Sequence, residues 1–142
     1  MLYKEEKRDL FDLKDSYYLA HCISADFGMG AGIAVLFNQV FDMKNKLIKS
    51  HERYKWNGHG RVEPEGTVLN LITKEKVWEK PTNQSVAEAL EDMKNFCIIN
   101  NIVKVAMPLI GCGIDGLLWD DIKNIIQEIF EKTDIEVCIC YL

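Results

Sequence analysis

The sequence predicts an α/β sandwich, and three observations predict it. Ile102, Val103, Val105, Ala106 and Met107 form a short, β-branched-rich run suited to a buried strand. That run continues through Pro108-Leu109-Ile110 into a loop broken by Gly111, Gly113 and Gly116. Trp119 to Phe130 then carries Ile122, Ile125, Ile126, Ile129 and Phe130 at the spacing of one helical face. The same order of strand, glycine loop and helix occurs earlier, where Tyr17 to Ile23 delivers Phe27-Gly28-Met29-Gly30-Ala31-Gly32 into a helix with Ile33, Leu36, Phe37, Val40 and Phe41 on one side. In an α/β sheet such junctions lie at the carboxyl ends of strands, where freed backbone N–H groups and a helix dipole favour an anion. Asp115 falls at the lip of the second such loop.

In chain order, Leu2 to Lys7 reads as a short, charged edge strand, followed by Arg8-Asp9-Leu10-Phe11, where Asp9 has the composition of a turn residue, and by a turn through Asp12 to Ser16. The first glycine loop matches neither the GxGxxG fingerprint nor the Lys-Ser/Thr ending of a P-loop, which disfavours Walker-type nucleotide hydrolysis. Met43 to Gly60 is the least apolar stretch and predicts a short helix running into a loop. It interleaves Lys44, Lys46, Lys49, Arg53 and Lys55 with Tyr54 and Trp56, a composition that suits a solvated helix face or a single-stranded nucleic acid. His51 and His59 fall there without a clustered acid or cysteine, so no metal site is expected. Val62 to Gly66, with Pro64, reads as a turn, and Thr67 to Thr73 as a strand ending at Lys74. Pro81-Thr82 precedes a helix with Val86, Leu90, Met93 and Cys97 on one stripe. Its start is set by Thr82 or by a capping box at Ser85 and Glu88, and Asn100-Asn101 ends it. Ile135 to Tyr141 predicts a last strand with Cys138 and Cys140 on one face.

The global numbers bound the function. A chain of 142 residues with 48% apolar and 27% charged content fits one domain with a substantial core. Net charge of −5 argues against nonspecific grip on nucleic acid. Five cysteines, odd in number and mostly in apolar runs, read as reduced core thiols. The N-terminus lacks an apolar signal segment and no run is long enough to span a bilayer, so a cytoplasmic location is expected.

Several stretches together resemble the macrodomain family, and within it the terminal ADP-ribose protein glycohydrolase branch. They are Asp9-Leu10-Phe11, His21-Cys22-Ile23-Ser24, Met29 to Phe37, Leu71-Ile72-Thr73-Lys74, Lys80-Pro81-Thr82 and Met107 to Asp115. The resemblance covers nearly the whole chain and implies a three-layer α/β/α sandwich with a mixed central sheet, residues 1–142 forming a single macrodomain. Arg8 stands where the family usually has glycine, and Met43 to Gly60 has no clear counterpart.

By the same resemblance, Asp9 and Leu10 mark the adenine end of a cleft. Gly30, Ala31, Gly32, Ile33 and Ala34 hold the distal ribose and a phosphate. Leu109, Ile110, Gly111, Cys112, Gly113 and Ile114 cradle the pyrophosphate, Ser24 approaches the distal ribose, and Leu142 closes the nucleotide pocket. Lys74 is similar in place to the family's nucleophile, and Asp115 to the residue that shuttles protons and releases the lysine adduct. A carboxylate with solution pKa near ~4.3 leaves readily, so strong acid catalysis is not needed. The lysine must be neutral to attack, and partial desolvation is expected to favour that form. The implied activity is hydrolysis of ADP-ribose from glutamate on proteins or from O-acyl-ADP-ribose, without cofactor or metal. Two other readings remain open: a reader module that binds ADP-ribose without turnover, and an enzyme acting on ADP-ribosylated single-stranded DNA through the Lys44 to Arg61 cluster. A Cys112 nucleophile is a further option, but no histidine is evidently paired with it.

Overall fold

The computed structural model describes residues 1–53 and 55–142; Tyr54, read above as part of the basic and aromatic stretch, lies outside the described residues. Strands β1 (Leu2–Lys7), β2 (Tyr18–Ser24), β3 (Arg61–Glu65), β4 (Val68–Lys74), β5 (Lys104–Met107) and β6 (Glu136–Tyr141) form one sheet in the order β1-β6-β5-β2-β4-β3. Every neighbouring pair is parallel except β3 with β4. The sheet is therefore mixed.

Helices α1 (Ile33–Phe41), α2 (Met43–Ser50), α3 (Asn83–Ile99) and α4 (Trp119–Phe130) cover the two faces. One core cluster joins Val86, Leu90, Met93 and Cys97 of α3 and Ile122, Ile126 and Phe130 of α4 to Leu69, Leu71, Val105, Met107, Val137 and Ile139. The other joins Phe37, Met43 and Leu47 of α1 and α2, with Leu10 and Leu13 of a 3-10 turn (Leu10–Leu13), to Leu19, Ile72, Ala106, Cys138 and Cys140. Successive residues of each strand alternate between these clusters, as the two-residue strand period requires. Three layers result. Cys138 and Cys140 share a face, their sulfurs 3.9 Å apart, and no cysteine is in a disulfide.

One expected turn is a strand. Val62 to Gly66 was expected to turn at Pro64, but Arg61–Glu65 pairs antiparallel with β4, Pro64 opposite Leu69. Because β3 is the sheet's edge, proline's missing N–H costs no ladder bond on its unpaired side. The start of α3 resolves to Thr82, whose side chain accepts from the Ser85 amide at 3.0 Å while the Ser85 hydroxyl accepts from the Thr82 amide at 3.0 Å. No helix among the described residues is long and apolar enough to cross a membrane.

Candidate active site

The carboxyl ends of β1, β2, β4, β5 and β6 open into one cavity of about 510 Å³, within the size range of small-molecule sites. The connection from β4 through α3 to β5 crosses over β2, so the segments after β2, β4 and β5 are neighbours at this end. Every site residue expected from the sequence borders the cavity: Asp9, Leu10, Ser24, Gly30 to Ala34, Lys74, Leu109 to Ile114, Asp115 and Leu142.

The two glycine loops form facing walls. Gly32 has φ +62°, and a Cβ placed on it would lie 3.6 Å from the Ile114 side chain, so the loops approach each other there. Gly111 and Gly116 have φ of +73° and +77°, a backbone that L side chains rarely adopt. Among the described residues, the amides of Gly30, Ala31, Gly32, Ile33 and Ala34 donate to no protein acceptor, nor do those of Gly111, Gly113, Ile114 and Asp115. Unpaired N–H groups at the start of α1 and in the second loop make a ready cradle for an anion.

At the centre, Lys74 and Asp115 meet. The Lys74 Nζ lies 2.8 Å from Asp115 Oδ1, with side chains 12% and 16% exposed. Forty-one positions separate them in sequence. The strand end places the first and the Gly111–Gly116 loop the second. The amine is thus ion-paired rather than merely desolvated, and the carboxylate beside it is the nearest acceptor for its proton.

Three of the expected residues have particular surroundings. Ser24 borders the cavity, but it is 2% exposed and its hydroxyl donates to the Asp26 carboxylate. Leu142 stands at the rim, 93% exposed. Asp9 caps the 3-10 turn, accepting from the Phe11 amide at 3.0 Å. Cys112 Sγ contacts the Ile110 carbonyl at 3.2 Å, and burial together with Asp121 pushes its thiol above the usual range. Burial, with Asp115 adding, pushes Cys22 up to about 12. Neither thiol is set up as a thiolate nucleophile.

Sequence reasoning missed the segment that ties the walls together. After Lys74, residues 75–80 form a strap: the Val77 amide donates to Asp26 Oδ2 at 3.1 Å, and the Lys80 ammonium donates to the Ile114 carbonyl. Asp26 also accepts from the Gly28 amide at 3.1 Å. Burial works to raise its carboxyl, but the bonds from Ser24, Val77 and Gly28 outweigh this and hold it below the usual carboxylate range. The Asp26-x-Gly28 spacing is an Asx-turn signal that the sequence does carry. Lys80 belongs to the Lys80-Pro81-Thr82 stretch named above, but nothing local signals its partner or that of Val77, which lie 34 and 51 positions away.

No family model matches the chain. It is 41% identical over 137 residues to the human protein named ADP-ribose glycohydrolase OARD1, covering 94% of this chain and 87% of that one. It is 30% identical over 123 residues to the DNA ADP-ribosyl glycohydrolase of Thermus aquaticus, covering 78% of this chain and 33% of that protein. Among solved structures, the macrodomain of Thermus aquaticus DarG superposes with a TM-score of 0.83 at 24% identity, over 99% of both chains. The macrodomain of Mycobacterium tuberculosis DarG gives 0.79 at 21% identity. With this fold, this sheet order and a relative 41% identical over nearly its whole length, the chain belongs to the macrodomain family, in the branch that includes the human ADP-ribose glycohydrolase.

Proposed function

We propose that residues 1–142 act as one macrodomain that hydrolyses the bond between ADP-ribose and a glutamate carboxylate on proteins, through a covalent intermediate on Lys74. The observation that carries this reading is the 2.8 Å pair of Lys74 and Asp115 inside the cavity walled by the two glycine loops. In this reading the unpaired amides of the loops receive the pyrophosphate, and Asp9 and Leu10 lie at the adenine end. The distal ribose then faces the amine.

The Lys74 ammonium passes one proton to Asp115, or to water where Asp115 is replaced, and the neutral amine attacks the anomeric carbon of the distal ribose. The C–N bond forms as the C–O bond to the glutamate carboxylate breaks; the carboxylate leaves with the bonding pair and takes the proton from Asp115. The ribose is now held by a positively charged secondary amine. Water then adds to the same carbon and gives its proton to Asp115, the C–N bond breaks with its electron pair returning to nitrogen, and Asp115 returns the proton to Lys74. Free ADP-ribose and the original ion pair result.

The test is intact-mass analysis of Asp115→Ala after incubation with glutamate-ADP-ribosylated protein. A stable mass gain mapped to Lys74 is expected, along with Lys74→Ala that binds ADP-ribose and releases none. Full activity of Lys74→Ala overturns the reading. Persistence of the label with wild-type protein, beside measurable binding, turns the site into a reader.

A second reading, removal of ADP-ribose from single-stranded DNA, is favoured by the 30% identity to a DNA ADP-ribosyl glycohydrolase. The basic stretch supports it less, because acids partner some of its charges: Arg61 with Glu63 and Lys55 with Glu52. Release from an ADP-ribosylated oligonucleotide faster than from protein would select it.

A further inference from the structure

We propose that Lys80 is the positioning residue for Asp115 during the second half of the reaction, a role that rests on the covalent reading above. Among the described residues, the hydrogen bonds that reach the 111–116 loop from outside residues 109–117 come from two lysines. Lys74 takes the Asp115 carboxylate and Lys80 takes the carbonyl of Ile114, one peptide earlier. The loop's remaining bonds are internal or to its own flanks, such as the Gly116 amide to the Gly113 carbonyl and the Leu117 amide to the Gly111 carbonyl. Cys112 packs against the core, but from there to the left-handed Gly116 the loop has no further hydrogen-bonded tether from outside among the described residues.

These two restraints are not equivalent during turnover. Once Lys74 is bonded to the sugar carbon, its nitrogen is no longer free to hold the carboxylate in the resting geometry. At that moment Asp115 must still aim at a water on the sugar. Lys80 is then the remaining hydrogen-bonded tether from outside the loop. Its own base is firm: Lys76 and Glu79 close the strap by the Lys76 amide to Glu79 Oε1 at 2.7 Å and the Glu79 amide to the Lys76 carbonyl at 3.0 Å, and Pro81-Thr82 follows directly as the cap of α3. Peptide planarity adds a second effect. With the Ile114 carbonyl turned to Lys80, the Asp115 N–H is aimed the opposite way, and no protein acceptor meets it.

The role is read from the adduct rather than from turnover alone. Lys80→Met should form the Lys74 adduct with glutamate-ADP-ribosylated protein at near wild-type rate but hydrolyse it roughly tenfold more slowly, so that the adduct accumulates in the steady state. ADP-ribose affinity should change little, and Lys80→Arg, which keeps a donor to the carbonyl, should restore adduct breakdown. Lys80 is exposed, so the variant is expected to fold, with its melting temperature as the control. Unchanged adduct lifetime in Lys80→Met, equal slowing of both half-reactions, or failure of arginine to restore breakdown overturns the proposal. If Asp115→Ala also yields no adduct, the covalent reading itself falls. An adduct in Asp115→Ala with none in Lys80→Met overturns the Lys80 role alone.

Discussion

Inside the sheet, the imidazole of His21 stacks on Phe37 with ring centroids 3.7 Å apart and bonds Asn70 Oδ1 through Nε2 at 2.7 Å, while its Nδ1 meets no partner among the described residues. Burial dominates over the Asn70 bond and lowers its pKa to about 4. A histidine with a depressed folded value adds stability above its unfolded pKa of about 6.5, and that stability drains away as pH falls from there to about 4. Urea unfolding at stepped pH should therefore show a loss on the order of 3 kcal/mol across this window, flattened in His21→Gln, which keeps an amide partner for Asn70 but does not titrate. The cysteines offer a second residue-scale test. Burial pushes Cys22, Cys97 and Cys140 up to about 12, so all three should resist alkylation at pH 7.5 in native protein and react once it is unfolded, as read by peptide mass mapping.

Between elements, the glycine before β3 lies directly against α3. A Cβ on Gly60 would lie 2.0 Å from the Ser85 carbonyl oxygen and 2.8 Å from the Ala89 nitrogen, so backbone sits on backbone. Gly60→Ala must push strand and helix apart and should cost about 2–3 kcal/mol in denaturant unfolding. Thr82→Ala, which removes one half of the α3 cap, should cost only about 1 kcal/mol. The contrast also bears on what was legible in the sequence. The Thr82 cap, the α4 stripe from Ile122 to Phe130 and the two glycine loops are local patterns and were readable as such. Pro64 misled because a proline signals a turn locally, and only the sheet order reveals that its strand is an edge. The cavity residues were named by resemblance to a family, whereas their mutual distances come from strand order. The contacts of the strap from Val77 to Lys80 had no local signal, since Asp26 and Ile114 are its partners only after β2, β4 and β5 are brought side by side.

At the scale of the whole molecule, a chain of net charge −5 is read as binding a ligand with a pyrophosphate, and its electrostatics must be reconciled with that. The cavity resolves the conflict locally, because the facing donors are neutral backbone amides and the cations that border it, Lys74 and Arg8, are already offset by Asp115 and Glu6. Attraction by oriented amides acts at contact distance, within a Debye length of about 8 Å at physiological salt. Binding of free ADP-ribose should therefore change less than roughly threefold between 50 and 200 mM salt, measured by calorimetry, since few counterions are released by a site without excess cations. A DNA-linked substrate that also engages Lys46 and Lys49, both exposed on α2, must show a steeper fall over the same range. The two slopes thus separate what the pocket grips from what the surface grips. The pocket's share is independently measurable by mass action: free ADP-ribose at about 100 times its Kd should raise stability by about 2.7 kcal/mol. Should the salt slope for ADP-ribose alone prove as steep as for the oligonucleotide, the pyrophosphate is being held by side-chain cations, and the two glycine loops are packing turns rather than a cradle.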